Sequence, residues 1–176
     1  LLPVILETTA AYNLKPSYDK DAHHALAKKC AEGAIVLLEN DGILPLGPET
    51  RTAIIGAFAE TPRYQGAGSS QVHPTRVDTL KTALEASHLA VIGYAPGYTL
   101  GNAEPDSKLI AEAVSLARKA DVVVLSMGLE DASESEGMDR PDMKLPKSHT
   151  ALLKAVARVN PNVVLVLSGG APFVMP

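Results

Sequence analysis

Four runs of apolar residues, separated by longer mixed segments, dominate the pattern of the chain from residue 50 onward. They lie at 52–58, 88–96, 121–128 and 162–170, and three of them are almost continuously apolar. Strands that are buried on both faces of a parallel sheet show such runs instead of strict alternation. We therefore predict a buried strand at each of the four positions.

Segments with helical periodicity lie between the predicted strands, at 77–87, 106–119 and 148–159. In the second of them the apolar positions fall on one helical face; they are Leu109, Ile110, Ala113, Val114 and Ala117. Strands that alternate with helices are connected by right-handed crossovers and form a parallel sheet. The pattern therefore predicts the α/β fold class, with helices covering the sheet.

The beginning of the chain has a different pattern. Residues 1–18 show no steady period and contain two prolines, so we interpret them as a linker that arrives from an upstream region. Residues 19–38 are predicted to be helical, with Asp19 or Asp21 as the N-cap. An apolar stripe at helical spacing predicts one core-facing side of this helix; it consists of Leu26, Cys30, Ala34 and Leu37.

Two details complete this region. Cys30 lies on the apolar stripe, so we expect it to be a buried, small hydrophobic residue. The dipeptide Asp41-Gly42 predicts a turn, because glycine adopts positive φ without steric cost. A short extended stretch to residue 46 then leads to the first strand.

Composition and charge exclude several classes of function. The net charge is −4, and no basic patch is long enough to follow a phosphate backbone, so we expect no nucleic-acid partner. No apolar run reaches the roughly 20 residues of a membrane span. The single cysteine excludes an internal disulfide and a multi-cysteine metal site, and we expect neither a metal nor a cofactor. The first residues lack signal-peptide features, so a cytoplasmic location is expected unless an upstream signal directs secretion.

Functional residues are expected in the loops that follow the strands, because ligands bind at the carboxyl ends of parallel strands. The loops concerned are 57–75, 95–105 and 127–147. A fourth loop begins at Ser168, and the sequence ends at Pro176. We expect the fold to be incomplete at this end.

The loop after the third strand is rich in acidic residues. Between Gly128 and Pro146, six carboxylates stand beside two cations. The acidic residues are Glu130, Asp131, Glu134, Glu136, Asp139 and Asp142, and the cations are Arg140 and Lys144. Neighbouring negative charges raise the pKa of a carboxyl group, which suits a general acid. A solvated acidic loop is the alternative reading, and a calcium site is a further one, although the EF-hand spacing is absent.

The loop after the first strand is rich in glycine and serine. Gly66 and Gly68 permit a close approach of the backbone to a ligand, and the hydroxyls of Ser69 and Ser70 suit contacts with a sugar. A phosphate cradle is an alternative, but neither phosphate-binding fingerprint is present. A plain flexible loop is also compatible with this composition.

Four segments with recognisable motifs extend, in order, over almost the whole chain. They read HHALAKKCAEGAIVLLENDGILPL, TAIIGAFAETPRYQGAGSSQVHPT, ADVVVLSMGLEDASESEGMDRPDMKLP and NPNVVLVLSGGAPFVMP. Together they resemble the second domain of family 3 glycoside hydrolases of the β-glucosidase type. The resemblance implies a three-layer αβα sandwich with a mostly parallel, flavodoxin-like sheet over residues 19–176, incomplete at its C-terminal end. It also implies that residues 1–18 are the linker from a TIM-like barrel upstream.

The resemblance further implies a function and a set of site residues. Relatives are retaining β-glycosidases that remove terminal, non-reducing β-linked sugars with two carboxyl groups about 5–5.5 Å apart. Glu136 corresponds to their general acid/base. Ser69 corresponds to the serine that contacts the sugar, with Ser70 as the less favoured neighbour, and Asp139 and Arg140 are expected to support the loop. The aspartate nucleophile belongs to the barrel, and its Ser-Asp-Trp motif is absent here.

Two alternatives stay open at the level of sequence. The chain could be a non-catalytic, flavodoxin-like binding or scaffold domain, and some N-acetylglucosaminidase relatives take their acid/base from the barrel. The intact ESEGMDR segment (134–140) favours the catalytic interpretation. The sugar, the linkage and any homo-oligomeric state are not determined by these residues.

Overall fold

The computed structural model describes residues 1–15 and 17–175, without the side chain of Ser70. The chain divides into two compact units, Leu1–Asp41 and Gly42–Pro176. No helix in the described part is long and apolar enough to cross a membrane.

The first unit contains two helices. Helix α1 covers Leu2–Asn13 and helix α2 covers Lys20–Ala34. Of the two N-cap candidates the structure uses Asp19, whose Oδ1 accepts hydrogen bonds from the backbone N–H groups of Asp21 at 2.9 Å and Ala22 at 3.0 Å. Helix α2 ends four residues before the predicted position, and much of the stretch interpreted as a linker is helical; its role as a linker stays a prediction.

The apolar stripe predicted on α2 is not a core surface in this chain. None of the residues of α2, all of which are described, is buried. Leu26 is 59% exposed and Cys30 is exposed, so the prediction that Cys30 is buried is wrong for this chain. Helical spacing shows that a face is suited to burial but does not provide the surface that covers it. The short first unit does not bury this face.

The second unit contains a four-stranded sheet whose strands are all parallel, in the order β2-β1-β3-β4. The strands are β1 Arg51–Ile55, β2 Ala90–Ala95, β3 Val122–Gly128 and β4 Val163–Ser168. The helices are α3 Leu80–Glu85, α4 Ser107–Ala117 and α5 Lys147–Ala157. All four predicted strands and the three predicted helices are confirmed, with ends displaced by a few residues.

Strand β1 ends at Ile55, whereas it was expected to continue to residue 58. Gly56 has a φ of 111°, and the chain turns there into a short 3₁₀ helix at Ala57–Ala59. A side chain at Gly56 would collide with the backbone of Ser126 in the neighbouring strand. The close approach of β3 therefore requires glycine at this position, and it directs the following loop away from the sheet.

The strand order is that of a flavodoxin-like sheet and contains one reversal of direction. The connection through α3 leads from β1 to β2 at one edge of the sheet. The connection through α4 then crosses β1 to reach β3, and the connection through α5 leads to β4 at the other edge. Right-handed crossovers in opposite directions place helices on opposite faces, which gives the αβα arrangement. The reversal lies between β1 and β3, and this switch point is where ligands bind in such sheets.

Strand β3 is the centre of the core, since all seven of its residues are buried. Helices α4 and α5 contact each other and cover one face of the sheet. Helix α4 begins at an Asp106 cap, whose Oδ1 accepts from Lys108 N at 2.9 Å and from Leu109 N at 3.1 Å. A rigid central strand thus carries the loop that follows Gly128.

Candidate active site

A cleft lies at the carboxyl ends of β1 and β3, beside the switch point of the sheet. We call residues 57–75 the Gly/Ser loop and residues 128–146 the acidic loop. Both loops line the cleft, whose volume is about 1030 Å³, together with residues 169–171 that follow β4. The expectation that loops from separate strands converge at this edge is therefore confirmed for these three segments.

Arg63 of the Gly/Ser loop joins the two loops. Its side chain is only 7% exposed. The Nη1 group donates to the Leu129 carbonyl at 2.8 Å and to the Glu134 carboxylate, and Nε donates to Asp131 Oδ1 at 3.1 Å. The acidic loop is therefore less unbalanced in charge than its own sequence indicates, because a cation from another loop neutralises part of it.

Glu134 is held from two sides. Its Oε2 accepts from Arg63 and from the Gly170 backbone N–H at 2.9 Å. Burial alone would raise the pKa of Glu134, but the hydrogen bonds from Gly170 and Arg63 outweigh burial, so the pKa lies below its usual value. Glu134 is thus a fixed carboxylate and a poor proton donor.

Glu130 connects the acidic loop to the loop after β2. Its Oε2 accepts from the Gly101 backbone N–H at 2.8 Å, while Oε1 is buried without a hydrogen-bond partner among the described residues. Burial raises the pKa of Glu130, Asp131 adds to the increase, and the bond from Gly101 opposes it. In the acidic loop, burial rather than charge repulsion is thus the main cause of the raised carboxyl pKa.

Glu136 lies in the exposed part of the acidic loop, beside the Gly/Ser loop. Ser69 Oγ donates a hydrogen bond to Glu136 Oε2 at 2.8 Å. The two residues that the sequence singled out as acid/base and as sugar contact are therefore in direct contact, although 67 positions separate them. The adjacent Ser135 lines the cleft.

The remaining predicted site residues lie around this pair. The side chain of Ser70 is outside the described part of the structure. Arg140 Nη2 donates to the Pro172 carbonyl at 2.7 Å, which agrees with a supporting position, and its Nη1 is buried without a described partner. Asp139 is exposed and lines the cleft. The functional roles of these residues stay predictions.

The segment after β4 holds the far end of the acidic loop. The Val174 backbone N–H donates to the Met143 carbonyl at 2.7 Å, next to an isolated parallel bridge between Lys144 and Val174. With the contacts of Gly170 and Pro172, this gives three attachments between the two segments. Within the described residues, no group of three His, Cys, Asp or Glu side chains is arranged to hold a metal ion.

A buried aromatic cluster lies beneath the loops. The Tyr98 hydroxyl accepts from Phe58 N at 3.1 Å and donates to the Ser126 carbonyl at 3.0 Å. The His149 ring lies 4.0 Å from the Tyr98 ring and is fully buried. Sequence analysis missed this cluster and missed Arg63. An ion pair of Arg63 with the acidic loop could have been predicted. Arg63 is the single Lys or Arg in residues 57–75, and this loop was expected at the same edge of the sheet as the six carboxylates.

Comparisons with known proteins agree with this architecture. Residues 35–176 match the model of the Glycosyl hydrolase family 3 C-terminal domain. The chain is 42% identical over 179 residues to thermostable beta-glucosidase B of Acetivibrio thermocellus, covering 100% of the chain and 24% of that protein. It is 41% identical over 182 residues to exo-alpha-(1->6)-L-arabinopyranosidase of Bifidobacterium longum, covering 97% and 24%.

A solved structure gives the same result. The family 3 beta-glucosidase of Bifidobacterium adolescentis superimposes with a TM-score of 0.82 at 46% identity, covering 89% of this chain and 23% of that one. The sheet order and the cleft define an α/β domain with an open cleft at the switch point, where ligands bind in such folds. The chain belongs to glycosyl hydrolase family 3, as part of its C-terminal domain, and spans about a quarter of the length of these relatives. The family and the fold class expected from the four motifs are thus confirmed.

Proposed function

We propose that this chain is part of a retaining β-glycosidase of the β-glucosidase type, and that it supplies the general acid/base residue, Glu136. The observation that carries the proposal is the 2.8 Å hydrogen bond between Ser69 and Glu136, beside the cleft at the switch point. It brings the proposed proton donor Glu136 and the proposed sugar-binding hydroxyl of Ser69 together from the loops after β3 and β1. An upstream TIM-like barrel would supply the opposite wall of the site and the aspartate nucleophile.

The reaction has two steps in this proposal. In the first, the barrel aspartate attacks the anomeric carbon while Glu136 donates its proton to the glycosidic oxygen, so the leaving group departs as an alcohol. In the second, Glu136 removes a proton from water, which attacks the glycosyl-enzyme and releases the sugar with retained configuration. Retention requires the two carboxyl groups to lie about 5–5.5 Å apart.

The structure supports Glu136 over Glu134, the other glutamate of the ESEG segment. A general acid must exchange its proton at every turnover and reach the leaving group. Glu134 is fixed by Arg63 and Gly170, and its pKa is lowered. Glu136 is exposed, and its contact with Ser69 is to a neutral hydroxyl that can exchange partners.

Ser69 is assigned a place between substrate and acid. A serine hydroxyl can donate one hydrogen bond and accept others at the same time. While it donates to Glu136, Ser69 Oγ can accept from a sugar hydroxyl, which would fix the sugar relative to the proton donor. Ser70 is retained as the less favoured sugar contact.

The proposed substrate class is a terminal β-linked glucoside. Two of the three relatives described above are named beta-glucosidases, and the third is named for an L-arabinopyranoside. The residues that select among sugars are expected mainly on the barrel. The assignment of glucose is therefore based on the names of the relatives.

The test is the substitution Glu136→Gln in the full-length protein. For alkyl glucosides, whose leaving groups need protonation, we expect kcat/KM to fall by about 10²–10⁴. For dinitrophenyl glucoside, which needs almost none, the first step should be nearly preserved. Added azide should then speed turnover, because it attacks the glycosyl-enzyme without base catalysis.

The matched control is Glu112→Gln, on an exposed position of α4, which should leave both activities unchanged. If kcat/KM of Glu136→Gln fell equally on alkyl and dinitrophenyl glucosides, Glu136 would not be the proton donor. The same result would favour the non-catalytic interpretation of this domain.

A further inference from the structure

We propose that Arg63 is a positioning residue that fixes the acidic loop onto the Gly/Ser loop and thereby sets the place of the acid/base carboxyl. The inference rests on the proposed function of Glu136 and deepens it. Arg63 has no described contact with Glu136. It contacts residues that precede Glu136 in the acidic loop.

Arg63 holds the acidic loop at several points. One guanidinium group contacts Leu129, Asp131 and Glu134, and thus holds the first part of the acidic loop at three positions. Arginine suits this task because its planar group carries five donors in a fixed geometry. The Arg63 side chain is 7% exposed and that of Glu134 is 12% exposed, so solvent competes little for this contact.

The contacts of Arg63 and Ser69 are arranged in parallel between the Gly/Ser loop and the acidic loop. Arg63 and Ser69 both belong to the Gly/Ser loop, and they contact Glu134 and Glu136, which are two residues apart. The Arg63 contact is buried and ionic, whereas the Ser69 contact is exposed and involves a neutral donor. The buried contact fixes the backbone, and the exposed one leaves the Glu136 side chain free to exchange its partner.

Glu134 has a second attachment besides Arg63. Its carboxylate also accepts from Gly170, which follows β4, so Glu134 connects three loops at the edge of the sheet. Without Arg63, a mostly buried carboxylate would keep only the Gly170 contact, and an unpaired buried charge is strongly unfavourable. The segment that carries Glu136 should then shift or become mobile.

The consequence for the reaction is most easily measured in the first step, in which Glu136 donates its proton. Small displacements of a reacting group can cost about 10²-fold in rate. Displacement of the proton donor affects substrates that need protonation and leaves ground-state binding of the sugar largely intact. An Arg63 variant should therefore behave as a milder form of a Glu136 variant, with losses in kcat and not in KM.

The experiment compares Arg63→Met, Arg63→Lys and the double variant Arg63→Met/Glu134→Gln in the full-length protein. For Arg63→Met we expect kcat on an alkyl glucoside to fall by about 10- to 100-fold, with KM changed less than about 3-fold. On dinitrophenyl glucoside, kcat/KM reports the first step alone and should fall by at most about 3-fold. Lysine keeps the charge but lacks the three-way geometry, so Arg63→Lys should recover only part of the lost activity.

Two comparisons guard against a general folding defect. The double variant removes the unpaired carboxylate, so it should fold even if Arg63→Met does not, and it should still show the leaving-group dependence. Arg118→Met, at an exposed position at the end of α4, should leave both activities unchanged. Amide hydrogen exchange should be faster in residues 129–136 of Arg63→Met and unchanged in β3.

The outcomes separate the two proposals. One outcome is that the loss of kcat/KM in Glu136→Gln depends on the leaving group, whereas the Arg63 variants that fold lose kcat/KM equally on both substrates. In that case Arg63 has only a structural role, and the proposed function of Glu136 stands. Unchanged exchange in residues 129–136 would also overturn the positioning role. If Glu136→Gln itself shows no leaving-group dependence, both proposals are wrong.

Discussion

Identical side chains acquire different chemistry from their surroundings in the ESEG segment. Glu134 and Glu136 are separated by one residue. The first is fixed between Arg63 and Gly170, whereas among the described side chains the second meets a neutral hydroxyl on the Gly/Ser loop. The first carboxylate is held in its charged form by an arginine and a backbone N–H, whereas the second is exposed and its side chain can change its hydrogen-bond partner. Their different environments, more than their position in a motif, are the reason why we propose a supporting role for Glu134 and proton transfer for Glu136.

His149 has the most unusual environment of the titratable residues in the core. It is fully buried against Tyr98 and Phe58, and neither ring nitrogen has a hydrogen-bond partner among the described residues. Burial lowers the pKa of His149 from 6.5 to about 4, and the nearby Gly128 backbone opposes only part of this effect. The imidazole is therefore neutral in the folded protein at physiological pH.

A pH dependence of stability follows from His149. As the pH falls from 6.5 to 4, the unfolded chain binds a proton at this residue and the folded chain does not. The free energy of unfolding should therefore decrease over this window, by up to about 3 kcal/mol from this residue. In His149→Leu this part of the slope should vanish in urea denaturation series between pH 7 and pH 4. Identical slopes for the two proteins would contradict the prediction.

At the scale of elements, strand and helix types were predictable from the sequence, whereas their ends were less so. The continuous apolar run of β3 identified a strand that proved to be buried along its whole length. The end of β1 was misplaced because it depends on the approach of a neighbouring strand to Gly56, and no local pattern contains that information. The helix α4 was placed within one or two residues because its Asp106 cap is a local signal.

The cap of α4 can be tested directly. Asp106 satisfies two backbone N–H groups that would otherwise lack partners at the start of the helix. Asp106→Ala should lower the free energy of unfolding by about 1 kcal/mol, whereas Glu112→Ala, at an exposed position of the same helix, should change it by less than about 0.5 kcal/mol. Denaturation of the two variants under identical conditions measures the difference. Equal effects would show that the cap contributes nothing specific.

At the scale of the whole molecule, the limits of sequence analysis concern contacts between distant segments. The Ser69–Glu136 pair could be predicted because family resemblance and strand topology both placed these loops at one edge. The contact of Arg63 with Glu134 spans 71 positions and was not predicted, since charges were counted within one loop only. The exposure of α2 was missed for a related reason, because periodicity does not reveal what covers an apolar face.

The proposed division of the active site makes a prediction for the isolated chain. Residues 1–176 contain the proposed acid/base but no nucleophile, so they should not hydrolyse aryl or alkyl glucosides at a measurable rate. The full-length protein should do so under the same conditions. The measurement is release of aryl alcohol at matched concentrations, with chain integrity checked by circular dichroism. Robust turnover by the isolated chain would overturn the two-domain mechanism.

The contact of Arg63 with three points of the acidic loop has a consequence for protein engineering. A chimera that receives only residues 128–146 from a relative acquires new carboxylates opposite an arginine selected for other partners. Residues 57–75 should be transferred from the same donor, because the arginine and its partners in the acidic loop then stay matched. The unit of exchange between these enzymes is then a matched pair of loops that are distant in the sequence.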